Sequence, residues 1–315
     1  MFDGLLAGLL WGVDTIILGI ALSRSSFVST EQAIFLAPFI STFIHDFCSA
    51  LWMIVYMGIK KQYSKIIEAL KTKSGRIIIL AALVGGPIGM TGYVLSIKYI
   101  GAAYTAIISA LFPAVGAFLS YLFLKEKMKI HQMVGLAISI GGVIILGYTP
   151  DGGEVRNIFI GFMFALLCVL GWAAEAVIIA YGLRDVEIND EQALQIRQMT
   201  SAIFYGIIIL PLLKGWNITL EIIPTNISAI ILISALFGTA SYLFYYRAIN
   251  RIGASKAMAL NITYCAWAII FGYVLLKESI AAKDIICALL IISGSVVAGG
   301  NIEEFIGIKK SDVSV

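Results

Sequence analysis

An all-α membrane protein, with ten transmembrane helices arranged as two inverted five-helix repeats, is the fold class that the sequence predicts. Three observations predict it. The 315 residues are 60% hydrophobic and 13% charged, whereas an ordinary soluble domain is about 25% charged. The apolar residues gather in runs of about twenty, the length that a hydrocarbon core of about 30 Å requires of each crossing. The second half of the chain also repeats the first.

The ten runs lie roughly at 3–22, 30–57, 76–97, 101–124, 131–149, 157–182, 191–213, 226–248, 252–276 and 282–300. The first, "MFDGLLAGLLWGVDTIILGIAL", has no basic leader and contains an acid, so it reads as a span and not as a cleaved signal. Lys60, Lys61, Lys65, Lys71, Lys73, Arg76, Lys125, Lys127, Lys129, Arg184, Arg247, Arg251, Lys309 and Lys310 fall on one side of the alternating loops. Only Arg24, Lys98, Arg156, Lys214, Lys277 and Lys283 fall on the other. By the positive-inside rule both termini are expected in the cytoplasm, with the chain in the plasma (inner) membrane. The basic loop at 60–76 reads as a solvated linker near anionic lipid. Cys48, Cys168, Cys265 and Cys287 stand singly in apolar runs, without metal or redox spacing, and no metal or other cofactor is expected.

The repeat is legible without gaps. "YIGAAYTAIISALFPAVGAFLSYLFLKE" (99–126) and "RIGASKAMALNITYCAWAIIFGYVLLKE" (251–278) share Ile-Gly-Ala at the start and Leu-Lys-Glu at the end. The same offset sets Gly86 over Gly238, Met90 over Tyr242 and Tyr93 over Tyr245; at another, Trp11–Asp14 matches Trp172–Glu175, and Glu-Gln-Ala at 31–33 matches 191–193. Five spans per half is an odd number, so the copies are expected to be inverted. The units are 1–149 and 150–302, with 303–315 as a cytoplasmic tail. Inverted repeats around a midplane site are a frequent build for secondary transporters, because exchanging the halves' conformations moves the opening between faces.

Ionisable groups at bilayer depth are costly and mark pathways. Trp11 and Asp14 sit three apart on the first span, and Trp172 and Glu175 repeat that pair on the sixth. His45 and Asp46 lie mid-way along the second span, and Arg197 and Gln198 one or two turns into the seventh. Tyr242, Tyr245 and Tyr246 form an i, i+3, i+4 stripe on the eighth; Asn261, Tyr264 and Trp267 form another on the ninth. Trp52, Tyr56, Tyr148 and Trp216, near span ends, read as interfacial or packing residues.

Aromatic faces and a carboxylate at one depth suit an organic cation. A quaternary ammonium has no N–H to donate, so it is held by π-faces, at roughly 0.5–2 kcal/mol each, and by a nearby negative charge. A primary or secondary amine would suit the same box. The substrate-binding candidates are Trp11, Asp14, Trp172, Glu175, Tyr242, Tyr245, Tyr264 and Trp267. His45, Asp46, Arg197, Gln198 and Asn261 are candidates for a polar second layer or for coupling, with Arg197 as an internal counter-charge to Glu175 or Asp46. In this reading Glu175 tolerates burial because its counter-ion is the cargo.

"LLWG", "HDF", "GGPIGM", "KYIG", "GWAAEA", "RQMTS", "SYLFYYRAIN" and "KAMALNITYCAW", with "LKE" closing the fourth and ninth spans, resemble the EamA-type drug/metabolite transporter superfamily and, within it, the LicB-type choline permeases. The resemblance covers nearly the whole chain. It implies import of choline for activation to phosphocholine, and an aromatic pocket at Trp11, Trp172, Glu175, Tyr242, Tyr245, Tyr264 and Trp267, with Tyr246 able to replace Tyr245. Uniport driven by potential and proton coupling are both compatible with it. The partners expected are a choline-like cation and the lipid bilayer, not nucleic acid. An exporter of amino acids, other small metabolites or cationic drugs on the same scaffold is the alternative. An intramembrane enzyme is a further one, disfavoured because the chain has two histidines and neither paired-histidine metal motifs nor a Ser/His arrangement for hydrolysis; a structural or sensory membrane protein is another, disfavoured because no attached cytoplasmic domain is expected to transmit a signal.

Overall fold

The computed structural model describes residues 1–147, 157–185, 187–277 and 281–299. Tyr148, Arg156, Glu278, Lys309, Lys310 and the tail 303–315 lie outside them. Eight helices among the described residues are long and apolar enough to cross a membrane: α1 Phe2–Leu22, α2 Glu31–Ile59, α3 Lys73–Ile100, α6 Ile158–Gly182, α7 Asp190–Leu212, α8 Asn226–Ile252, α9 Ala254–Leu276 and α10 Ala282–Gly299. Two shorter apolar helices, α4 Phe112–Leu124 and α5 Ile130–Gly147, stand where the other two expected crossings fall. At 1.5 Å per residue α4 is roughly 20 Å long.

The difference at α4 has a local cause. A break was expected near residue 100, but the helix that continues α3 runs on to Ser109. It ends where Pro113 occupies the first turn of the next helix, a place that suits a residue without an N–H. Elsewhere the helix starts follow short polar side chains. Thr30, Thr72, Asn157 and Thr225 each accept a backbone N–H, and Asn189 with Gln192 makes a capping box.

Packing treats the two halves alike. Helix α1 packs on α8, and α6 on α3; α1 also packs on α9, and α6 on α4. Helices α2 and α7 pack on each other, as do α5 and α10. The backbone carries the same correspondence. Among the described residues, the non-glycine ones with positive φ are Lys61 (56°) and Lys214 (54°), past the ends of α2 and α7, and Lys125 (57°) and Lys277 (59°), after α4 and α9. Each turns the chain out of a helix in the left-handed conformation.

Contacts gather one set of helix ends on one face. Lys60 pairs with Glu191, Arg251 with Asp3 at 2.9 Å, and Arg184 donates to the Leu124 carbonyl at 2.7 Å. This lysine-rich face holds most of the larger basic set. One apolar core, with Met53, Met57, Ile78, Tyr246 and Met258, lies toward it; a second, with Phe27, Ile40, Tyr205 and Ile231, lies toward the other face.

Candidate functional site

The aromatic candidates converge because α1, α4, α6, α8 and α9 meet between those cores. A cavity of about 80 Å³ is lined by Trp11, Phe112, Trp172, Glu175, Tyr242, Tyr245, Asn261 and Tyr264, with Ala176 and Ser241. Each tryptophan sits in an aromatic clamp. Trp11 meets Tyr242 edge-on at 4.9 Å and Tyr264 at 6.5 Å; Trp172 meets Phe112 edge-on at 5.9 Å and Tyr93 at 5.4 Å. Phe112 was not singled out from the sequence, although the ungapped repeat sets it directly over Tyr264.

A second cavity, of about 90 Å³, shares Trp11, Trp172 and Tyr242 with the first and adds Asp14, His45, Asp46 and Arg197 beside the apolar Leu18 and Met90. Arg197 is its hub. Its Nε donates to Glu175 at 3.0 Å, its Nη1 to Gln198 at 2.9 Å and to Asp46 at 3.4 Å, and its Nη2 to the Tyr242 hydroxyl at 3.0 Å. The guanidinium also lies 4.6 Å from the centre of the Tyr242 ring. His45 bridges Asp14, at 3.1 Å from Nε2, and Asp46, at 3.5 Å from Nδ1. Ser201 donates to Asp46 at 2.5 Å, and Ser234 donates to the Asp14 carboxylate.

Charge arithmetic follows from these partners. Asp14, Asp46 and Glu175 are all buried, against one guanidinium and one imidazole. With all three acids ionised the layer stays negative even if His45 is protonated. A buried net charge is unfavourable unless a mobile cation joins it.

Backbone shape makes room for this layer. The segment Val84–Met90 winds as a π-helix, a turn frequent at functional sites, and brings Gly85 against the Glu175 carboxylate. A Cβ on Gly86 would stand 2.8 Å from Ser201 Oγ, and one on its repeat mate Gly238 2.7 Å from His45 Nε2.

Two expectations need correction. Trp267 lines neither cavity. It packs beside Gly12 of α1 and stacks on Phe271 at 6.1 Å, because one further turn beyond Tyr264 carries it past the cavity. Glu175 is not held for the cargo alone, since Arg197 already pairs with it. Gln198 lies outside both linings, its Oε1 taken by Arg197 and its Nε2 buried without a partner. Asn261 lines the aromatic cavity, and its buried Oδ1 has no partner. The residues read as packing are tied across helices: Trp52 donates to the Leu232 carbonyl at 3.0 Å, Tyr56 to Glu191 at 2.7 Å and Trp216 to the Gly206 carbonyl at 2.9 Å.

Comparison with known proteins agrees with this build. The model of the EamA-like transporter family matches residues 2–148 and again 159–300. Protein LicB of Haemophilus influenzae is 39% identical over 221 residues, covering 69% of this chain and 73% of its own length. An uncharacterized transporter of Bacillus subtilis, YoaV, is 25% identical over 228 residues, covering 69% and 73%. A solved crystal structure at 15% identity superposes with a TM-score of 0.68 over 94% of this chain and 96% of that one, a likeness of fold alone.

Proposed function

Because the chain belongs to the EamA-like transporter family, we propose that this multi-pass membrane transporter imports choline or a related quaternary ammonium solute. Import proceeds by alternating access of two inverted five-helix halves in the plasma membrane, with the termini in the cytoplasm. The observation that carries this reading is the aromatic cavity set against a layer in which three buried carboxylates face one guanidinium and one imidazole.

Arg197 acts as a resident cation: it pairs with Glu175 and covers one face of Tyr242. An arriving trimethylammonium takes its place among Trp11, Trp172 and Tyr242, and Arg197 turns toward Asp46, already within 3.4 Å. The cargo then supplies the positive charge that the carboxylates lack. Its hydroxyl end meets Asn261, whose amide oxygen has no other partner in the cavity. Inward passage of one positive charge gains about 2.3 kcal/mol per 100 mV of potential. A co-transported proton would sit in the Asp14–His45–Asp46 bridge, where each ring nitrogen of His45 faces a carboxylate oxygen.

Binding to the purified full-length protein tests the reading, with choline, betaine, carnitine and the neutral choline isostere 3,3-dimethyl-1-butanol as ligands. Choline should bind, and loss of the charge should weaken binding by at least about tenfold, the size of one good cation–π contact with its charge partner. Equal binding of the neutral isostere would overturn it.

A further inference from the structure

Two strings that recur in both halves have no part in the cavities, and the structure joins them. Leu-Lys-Glu at 124–126 closes α4, and Ile-Gly-Ala at 252–254 leads from α8 into α9. Lys125, in the left-handed conformation, turns the chain so that Glu126 leaves the helix end. The Glu126 carboxylate then accepts the backbone N–H groups of Ala254 and Ser255, each at 3.1 Å, and the Ser255 hydroxyl at 2.8 Å. Gly253 makes the approach possible: its φ is +88°, and a Cβ there would stand 2.8 Å from Glu126 Oε1.

This cap is borrowed. Five other helix starts use the residue at their own boundary, Thr30, Thr72, Asn157, Asn189 or Thr225. The helix Ala254–Asn261 has Gly253 at its boundary and no side-chain cap of its own. Its N–H groups depend on a carboxylate from the other half of the chain, at the lysine-rich face. A join made this way can come apart without unwinding either helix, because water can satisfy both sides.

The two joined helices are also a wall of the site. Phe112 at the start of α4 and Asn261 at the end of this helix both line the aromatic cavity, and between them Met258 lies against Gly116. We propose that Glu126 is the positioning residue of a gate on the lysine-rich face: while its three hydrogen bonds hold, α4 and the start of α9 stay closed beneath the cavity, and their release opens the cavity to that face. The proposal rests on the alternating-access reading above.

A cysteine reporter at Ala176, which lines the cavity, tests it in the full-length chain with Cys48, Cys168, Cys265 and Cys287 replaced. Labelling by a membrane-impermeant maleimide is timed separately from each face in oriented vesicles. Glu126→Ala should speed labelling from the lysine-rich face and slow it from the opposite face, changing their ratio by roughly fivefold, the population shift that loss of one helix cap brings. Glu126→Gln, which keeps one acceptor oxygen, should fall between, and Ser255→Ala should move the ratio slightly the same way. A merely structural cap would lower the melting temperature and leave the ratio unchanged; that result overturns the gate. If saturating choline changes neither rate in the parent protein, the transport reading itself fails, whatever Glu126→Ala does.

Discussion

Arg197 Nε donates to Glu175 Oε1 across 3.0 Å, joining α7 to α6, so the acid placed at mid-membrane has a partner before any solute arrives. Removing one member of a buried ion pair costs about 3–5 kcal/mol because it orphans the other charge, whereas replacing both members costs less.

Glu175→Gln should therefore abolish uptake of labelled choline. Arg197→Gln should destabilise the fold more than Glu175→Gln, because it leaves Glu175 without its partner and Asp46 with only His45 and Ser201, whereas in Glu175→Gln the guanidinium of Arg197 retains Asp46, Gln198 and Tyr242. The double variant should melt higher than Arg197→Gln. Thermal unfolding of the detergent-purified variants checks the order, and a double variant less stable than either single one would contradict it.

Replacing Trp11, Trp172 or Phe112 with Leu should raise the apparent KM for choline by roughly 2- to 30-fold each, the worth of one cation–π contact. Trp52→Leu and Trp267→Leu, outside both cavities, should leave KM within about twofold of the parent, inside the scatter of substitutions away from a binding contact. Uptake kinetics in proteoliposomes decide between this order and its reverse.

Asn261→Leu preserves shape and removes the amide. Choline and ethyltrimethylammonium should then compete equally for uptake, while in the parent choline competes better by about three- to tenfold, the worth of one hydrogen bond. Unchanged discrimination would remove Asn261 from the hydroxyl end.

Gly85→Ala should eliminate transport, since its methyl group would land on the Glu175 carboxylate, and Glu175 could yield only by leaving Arg197. Gly86→Ala should be milder, because the atom it meets is a single hydroxyl, Ser201 Oγ at 2.8 Å, which can rotate away at the loss of its bond to Asp46. Gly19→Ala, whose methyl group meets nothing within 4 Å, is the control and should transport like the parent. Equal activity of the Gly85 and Gly19 variants would show that the π-turn has no bearing on the site.

Lys60, beyond the end of α2, is held above the usual lysine range by its hydrogen bonds to Glu191 and Tyr56. A raised lysine contributes stability that is present at neutral pH and is lost as pH rises through the folded value. The Lys60 side chain is 40% exposed, so the pair contributes less than about 1 kcal/mol. Melting curves should show a small alkaline decline that Lys60→Met removes, and salt should weaken it.

Much of this was legible in the sequence. Apolar runs located the long helices, and the repeat register paired Trp11 with Trp172 and Gly86 with Gly238. It also held Phe112 over Tyr264, which a register-based search of every aromatic would have found. Arg197 was visible as a buried charge, but its reach to three other helices depends on packing that no periodicity encodes. Trp267 shares a helical stripe with Tyr264, yet a stripe says nothing about depth, and one turn was enough to miss the cavity. The late break before α4 followed Pro113, where the apolar runs alone pointed to a break near residue 100.

Because α1 rests on α8 and α6 rests on α3, each half lends its opening helix to its counterpart, like two people shaking hands with crossed arms. A polypeptide severed between α5 and α6 would leave both fragments with apolar stripes that only the missing piece can cover. Produced separately, the fragments should be degraded by quality-control proteases; produced together in one cell, they should reassemble and restore uptake.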